Sequence, residues 1–211
     1  MLEVLSAIIR RSLSPRRLLY GSGVAVLLLM FALSLREPLF HASYSPTLYD
    51  RGGSLLGAQV AADGQWRFPA AGELNEKFVT ALLEAEDRRF RRHFGVDFLA
   101  AARAVYQNTR SGKVVSGAST LTMQTIRLSR GNRKRTILEK SIEATLALRL
   151  EMRKSKDEIL ALYAAHAPFG ANVVGLDAAA WRWFGRSSHE LSWAEAATLA
   201  VLPNSPALIH P

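Results

Sequence analysis

The sequence predicts a mainly α-helical domain behind one N-terminal membrane-spanning helix, with a short β element between the two. Three observations predict this. An uncharged run, "LLYGSGVAVLLLMFALSL", occupies residues 18–35. From Leu74 onward, apolar residues recur at helical spacing in an alanine-rich background. Between these regions, short apolar runs are bounded by the turn signals Asp50 to Gly53 and Asp63-Gly64.

Composition limits the function classes. The chain has 211 residues, 49% of them hydrophobic, which suits one domain plus an anchor. It contains no cysteine. That excludes a disulfide framework, a thiolate nucleophile and a cysteine metal site. A net charge of +9 calls for an anionic partner: nucleic acid, anionic lipid or a phosphorylated substrate.

The N-terminal run narrows that choice. Eighteen helical residues span about 27 Å, close to the hydrocarbon thickness of a bilayer. Arg10, Arg11, Arg16 and Arg17 precede it, and only Arg36 follows closely. Residues 1–17 are therefore expected as a cytoplasmic tail and 18–35 as the anchor, with the remainder outside. The competing reading is a cleaved signal peptide. The run is long for one, and "REPLFHASYS" offers no small-x-small cleavage site, so an uncleaved anchor is preferred. This topology argues against a nucleic-acid partner. In the following segment, 36–69, "SLLGAQVA" and "QWRF" read as a short hairpin or simply as linker.

Residues 70–211 read as the main domain. Helices are expected at about 75–91, 97–109, 119–130, 135–153, 155–166, 175–184 and 192–202. Ser155 to Glu158 and Ser192 to Glu195 fit the capping box at two helix starts. Gly95, Gly170 and Gly185 fall where helices should stop.

Two stretches carry candidate chemistry. In "EDRRFRRHFG", 86–95, the four-residue spacing of Phe78, Leu82, Glu86 and Phe90 puts Glu86 in an apolar helical row. A carboxylate there costs free energy unless it is paired or used. Taken alone, a solvated acid pair near a helix end is the better reading. The second stretch runs from Ser111 to Glu143. It opens as a Gly/Ser-rich loop, where Ser119 or Thr120 would ordinarily just cap the next helix. No G-x-S-x-G elbow surrounds Ser119, which argues against a serine hydrolase. Arg127, Arg130, Arg133, Lys134, Arg135 and Lys140 then form a basic cluster. Such a cluster is either a solvated face or a phosphate clamp. Glu143 shares a helix face with Arg135 and Glu139, and by itself reads as part of a polar outer face.

Taken in order, "EDRRFRRHFG", "GASTLTMQ", "RTILEKSIEATLALRLE", "SKDEILALYAAHAPFG" and "GLDAAAWRWFGRSSHELSWAEAATLAVLPNSP" resemble the five motifs of family 51 glycosyltransferases. These are the peptidoglycan glycosyltransferase domains of class A penicillin-binding proteins. The anchor and "DGQWRFP" look most like the 1C branch. The resemblance covers residues 1 to about 206, and five ordered motifs are far more specific than any one of them.

The resemblance implies a lysozyme-like α fold with a jaw that touches the membrane, on the periplasmic side of a bacterial inner membrane. The implied substrates are lipid II and the growing glycan strand. Glu86 falls on the general base, which takes the proton from the attacking 4-hydroxyl while lipid pyrophosphate leaves with inversion. Ser119, Gln124, Arg127, Arg135 and Lys140 fall on the substrate and leaving-group site. Glu143 would organise the pyrophosphate side as a second catalytic acid, with Mg or Mn as an optional companion and no cofactor required. Asp87, Phe90 and His93 are expected to shape the loop beside the base. Other cell-wall synthesis proteins are implied partners.

Departures from the family pattern cluster around the leaving group. Met123 stands where a glutamine is usual, Arg127 where a lysine is usual, and His166 where an asparagine is common. The third motif reads Glu139, Lys140, Ser141, Ile142, Glu143 instead of R-K-x-K-E. The S-x-x-K and K-T-G motifs of a transpeptidase do not occur, so no β-lactam acylation is expected. Two other readings stay open: a lysozyme-type lytic enzyme, against which the basic cluster argues, and an inactive membrane-anchored scaffold that binds lipid II or division proteins.

Overall fold

The computed structural model describes residues 20, 31, 34, 35, 37–69, 72–113, 115, 117–134 and 136–204. Most of the expected membrane span, 18–35, lies outside the described residues, as does Arg135. Among the described residues, no helix is long and apolar enough to cross a membrane. The chain divides into two compact units, Met1–Leu39 and Phe40–Pro211. The second holds every described site residue.

The second unit is mainly helical. Strands β1 (Thr47–Tyr49) and β2 (Leu55–Ala58) form an antiparallel hairpin. Its turn is closed by the Asp50 carboxylate, which accepts from the Ser54 amide at 2.7 Å. The hairpin expected from sequence joined "SLLGAQVA" to "QWRF". Instead β2 pairs with β1, and Trp66 pairs in parallel with Val173. The Trp66 amide donates to Asn172 O at 2.8 Å, and the Val174 amide donates to Trp66 O at 2.9 Å. Aromatic packing explains the choice, because the Trp66 ring lies 5.8 Å from that of Trp181.

Among the described residues seven α-helices follow: α1 (Glu76–Glu86), α2 (Phe98–Ser111), α3 (Leu121–Ser129), α4 (Ile137–Glu151), α5 (Lys156–His166), α6 (Leu176–Phe184) and α7 (Trp193–Val201). Side chains cap most of their starts. Asn75, Asp97, Thr120 and Thr136 each accept first-turn amides, and the expected capping boxes form at Ser155/Glu158 and Ser192/Glu195. Between Ser119 and Thr120, it is Thr120 that caps α3.

The largest difference from the sequence reading lies in α1. Periodicity carried that helix through Phe90, but it stops at Glu86. Asp87 leaves helical geometry at φ −158°. Its carboxylate is drawn to His93, six residues on, and to Leu121 N, 34 residues on, and no helical periodicity encodes either bond. Phe90 lies on a separate 3-10 turn, Phe90–Arg92, and is still fully buried. Glu86 therefore ends the helix, half-buried, rather than sitting in mid-stripe.

In the core, α1 packs on α7, α3 lies against both α4 and α5, and α6 meets α5 and α7. Phe78, Leu82, Ile126, Leu150 and Phe169 have at most 1% exposure. Burying each such side chain contributes about 1.5–3 kcal/mol. Helix α2 is different, with Ala104 its only buried residue.

Candidate active site

Three chain segments meet at the end of α1. Glu86 Oε2 accepts from Gln124 Nε2 of α3 at 3.0 Å and also from Asn204 Nδ2. Asn204 belongs to the 3-10 turn Leu202–Asn204, which follows α7. On its other side the Gln124 amide oxygen faces the Tyr163 hydroxyl of α5 at 3.5 Å. Tyr163 is 1% exposed, and burial pushes its phenol well above the usual range, helped by the Glu86 charge.

Asp87 and His93 bond to each other in the loop that follows α1. Asp87 is 8% exposed. Its carboxylate accepts from Leu121 N at 3.0 Å, fastening the start of α3 to the end of α1. His93 Nε2 lies 3.0 Å from both Asp87 oxygens. A carboxylate only accepts, so Nε2 carries the proton of this contact. Lys156 closes the loop from below. Its ammonium donates to His93 O at 2.7 Å, pairs with Glu151 at 2.6 Å and lies 4.3 Å from the centre of the Phe90 ring.

Glu86 and Asp87 line a cavity of about 590 Å³ with Arg88, Arg89, Asp97 and Arg103. Burial works against the charge on Asp97, but the Ala100 and Leu99 amides and the Arg89 guanidinium hold its carboxyl below the usual range. A second cavity, about 460 Å³, is lined by Arg127, Lys140 and Glu143 together with Ala104, Val105 and Ile137. Gly117, Ala118 and Ser119 line both cavities. Ser119 thus stands at the boundary of the two.

In the second cavity Arg127 is committed to Glu143. Its Nε and Nη2 donate to Oε1 and Oε2, both at 2.8 Å. Both residues are buried, and the carboxylate raises the Arg127 pKa above its ordinary value. Lys140 is exposed on the same cavity. Glu139 turns away to Arg130, at 2.6 Å. Among the described residues, no group of three His, Cys, Asp or Glu side chains could hold a metal ion. A divalent cation at Glu143 would compete with the Arg127 guanidinium for both oxygens.

His166, the departure in the fourth motif, stacks on Phe40 with ring centres 3.6 Å apart. Its Nδ1 lies 2.9 Å from Leu162 O. Of the site residues expected from sequence, Glu86 and Gln124 come together, and Arg127, Lys140 and Glu143 gather in the neighbouring cavity. Sequence reading missed the contacts of Asn204, Tyr163 and Lys156. All three lie within the motifs quoted above, which was the available signal.

Comparison with known proteins places the chain in a family. Residues 50–211 match the family described as Transglycosylase. Penicillin-binding protein 1C of Escherichia coli (strain K12) is 42% identical over 175 residues, covering 82% of this chain and 23% of that protein. Penicillin-binding protein 1A of Aquifex aeolicus (strain VF5) is 36% identical over 193 residues, covering 90% and 26%. Penicillin-binding protein 1A of Neisseria gonorrhoeae is 35% identical over 199 residues, covering 91% and 24%. The chain therefore spans about a quarter of the length of these curated relatives. With its match covering most of the sequence and its relatives above a third identical, the chain belongs to the transglycosylase family.

Proposed function

We propose that the chain is a peptidoglycan glycosyltransferase that polymerises lipid II into glycan strands, releasing undecaprenyl pyrophosphate. The observation that carries this reading is the pair of adjoining cavities, one walled by Glu86 and the other by Lys140 and Arg127, with residues 117–119 lining both. A displacement at a sugar carbon needs a base on one side and a cation for the leaving diphosphate on the other.

In this reading the first cavity takes the acceptor sugar. Glu86 removes the proton from its 4-hydroxyl as that oxygen attacks C1 of the donor. The donor's diphosphate lies in the second cavity and leaves with the bonding pair, so the anomeric centre inverts. Lys140 supplies charge to the departing diphosphate. Arg127 adds directed donors while Glu143 holds it in place, and Arg135 would add a further positive charge. No step is routed through a divalent cation.

Exposed apolar side chains suit a lipid-linked substrate. Phe98, Leu99, Val105 and Tyr106 on α2 are each more than 60% exposed, as are Ile137 and Leu138 on α4. This surface would rest on the inner membrane, with residues 18–35 as the anchor, the domain in the periplasm and other cell-wall synthesis proteins as partners. The deciding experiment incubates the full chain with labelled lipid II. Polymer should form with wild type and be lost, by about a hundredfold or more, with Glu86→Gln, while substrate binding survives. Polymerisation at the wild-type rate by Glu86→Gln would remove Glu86 from the mechanism.

A further inference from the structure

The Glu86 carboxylate is gripped by one oxygen from two directions. Asn204 Nδ2 and Gln124 Nε2 both donate to Oε2. The two donors come from segments 80 residues apart, one on α3 and one on the turn after α7. Neither belongs to the acidic motif itself.

The Gln124 contact has a direction that something must set. A side-chain amide can turn either its NH2 or its oxygen toward a neighbour. Toward a carboxylate only the NH2 is favourable, and the oxygen must then find a donor behind it. Tyr163 stands there, its hydroxyl 3.5 Å from Gln124 Oε1. The phenol is buried, so its proton has no solvent to turn to. Burial and the Glu86 charge also keep that proton on the oxygen. A protonated phenol facing the amide oxygen selects the amide orientation in which NH2 meets Glu86. The reversed amide would oppose oxygen to carboxylate and leave the hydroxyl facing an NH2.

We propose that Asn204 and the Tyr163–Gln124 pair are positioning residues that hold Glu86 through Oε2 and reserve Oε1 for the proton of the attacking hydroxyl. The proposal rests on Glu86 being the general base, and it deepens that reading by naming which oxygen is basic and what aims it. Asn204 acts directly, whereas Tyr163 acts only through Gln124. A residue that aims a base without touching substrate affects turnover and leaves ground-state binding alone.

The test uses the full chain in phospholipid vesicles, with kcat and KM measured for lipid II polymerisation. Asn204→Ala and Tyr163→Phe should each lower kcat about tenfold with KM unchanged, the scale of one hydrogen bond to a charged group. Asn204→Gln, which keeps an amide, should recover part of the loss. The discriminating measurement is a cycle with Gln124→Ala. In that background Tyr163→Phe should cost nothing further, while Asn204→Ala should cost as much as before. A Tyr163→Phe loss of equal size with and without Gln124 would show packing alone and overturn the proposal. Wild-type kcat in Asn204→Ala and Tyr163→Phe would overturn it too. If Glu86→Gln polymerises normally, the base assignment fails instead, so the two failures are distinguishable. Asn204 is exposed, so Asn204→Ala keeps the proposal falsifiable even if Tyr163→Phe does not fold.

Discussion

Arg127 and Glu143 meet as a two-pronged pair between α3 and α4, with both donor–acceptor distances at 2.8 Å and side-chain exposures of 10% and 3%. Removing one partner from such a pair leaves the other charge buried and unmet. Glu143→Gln should therefore destabilise the fold by about 3–5 kcal/mol. Replacing both residues by leucine should cost much less than the two single changes summed. Chemical denaturation of the three variants measures this. A loss near zero for Glu143→Gln would show that the pair is not what joins α3 to α4.

Lys140 carries a separate expectation. Glu143 neutralises Arg127, so among the described residues lining the second cavity Lys140 is the exposed cation, and in the proposed reading it attracts the diphosphate. Lys140→Ala should lower kcat/KM for lipid II about tenfold or more. It should also flatten the salt dependence of binding of a soluble diphosphate headgroup analogue, because screening acts on the charge that is gone. Unchanged kinetics and unchanged salt response would return Lys140 to the solvated surface.

His166 predicts a pH effect on stability. Burial lowers its pKa, and the Arg67 charge adds to this, against the Leu162 carbonyl contact. The folded protein therefore favours neutral imidazole, whereas the unfolded chain takes up a proton near the ordinary value of about 6.5. The sign follows: the contribution is fully present above that value and is lost as pH falls through the lower folded value. His166→Asn cannot titrate. Its melting temperature should change less than that of wild type between about pH 7 and pH 5. Parallel curves would remove His166 as the source of acid sensitivity.

Topology gives a cellular test. With arginines before the apolar run 18–35 and one after it, a reporter fused after Pro211 should be active only when exported. Activity in the cytoplasm would sink the proposed location and the lipid II reading with it.

Much of the fold was legible because helices α2 to α7 advertise themselves locally. The capping boxes at Ser155 and Ser192 sit where the sequence placed them. What sequence could not supply were pairings across long separations. The apolar spacing of Phe78, Leu82 and Phe90 was real, and all three are buried, but it hid the break at Asp87. That break is made by Leu121 and His93, one of them 34 residues away. The basic cluster likewise looked uniform. Only the fold separates Arg127, locked to Glu143, and Arg130, locked to Glu139, from exposed Lys140. The contact between Asn204 and Glu86 spans 118 residues, and no periodicity bears on it.

The parallel pairing of Trp66 with Val173 has a consequence for the order of events when the chain assembles. It joins backbone segments more than a hundred residues apart, and such closures carry a large loop entropy. The loop before α6 must be in place before Asn172 O and Val174 N can receive Trp66. The clasp is therefore expected to close after α5 and α6 have docked. In pulse-labelling hydrogen exchange, the amides of Trp66 and Val174 should gain protection together, and later than those inside α5.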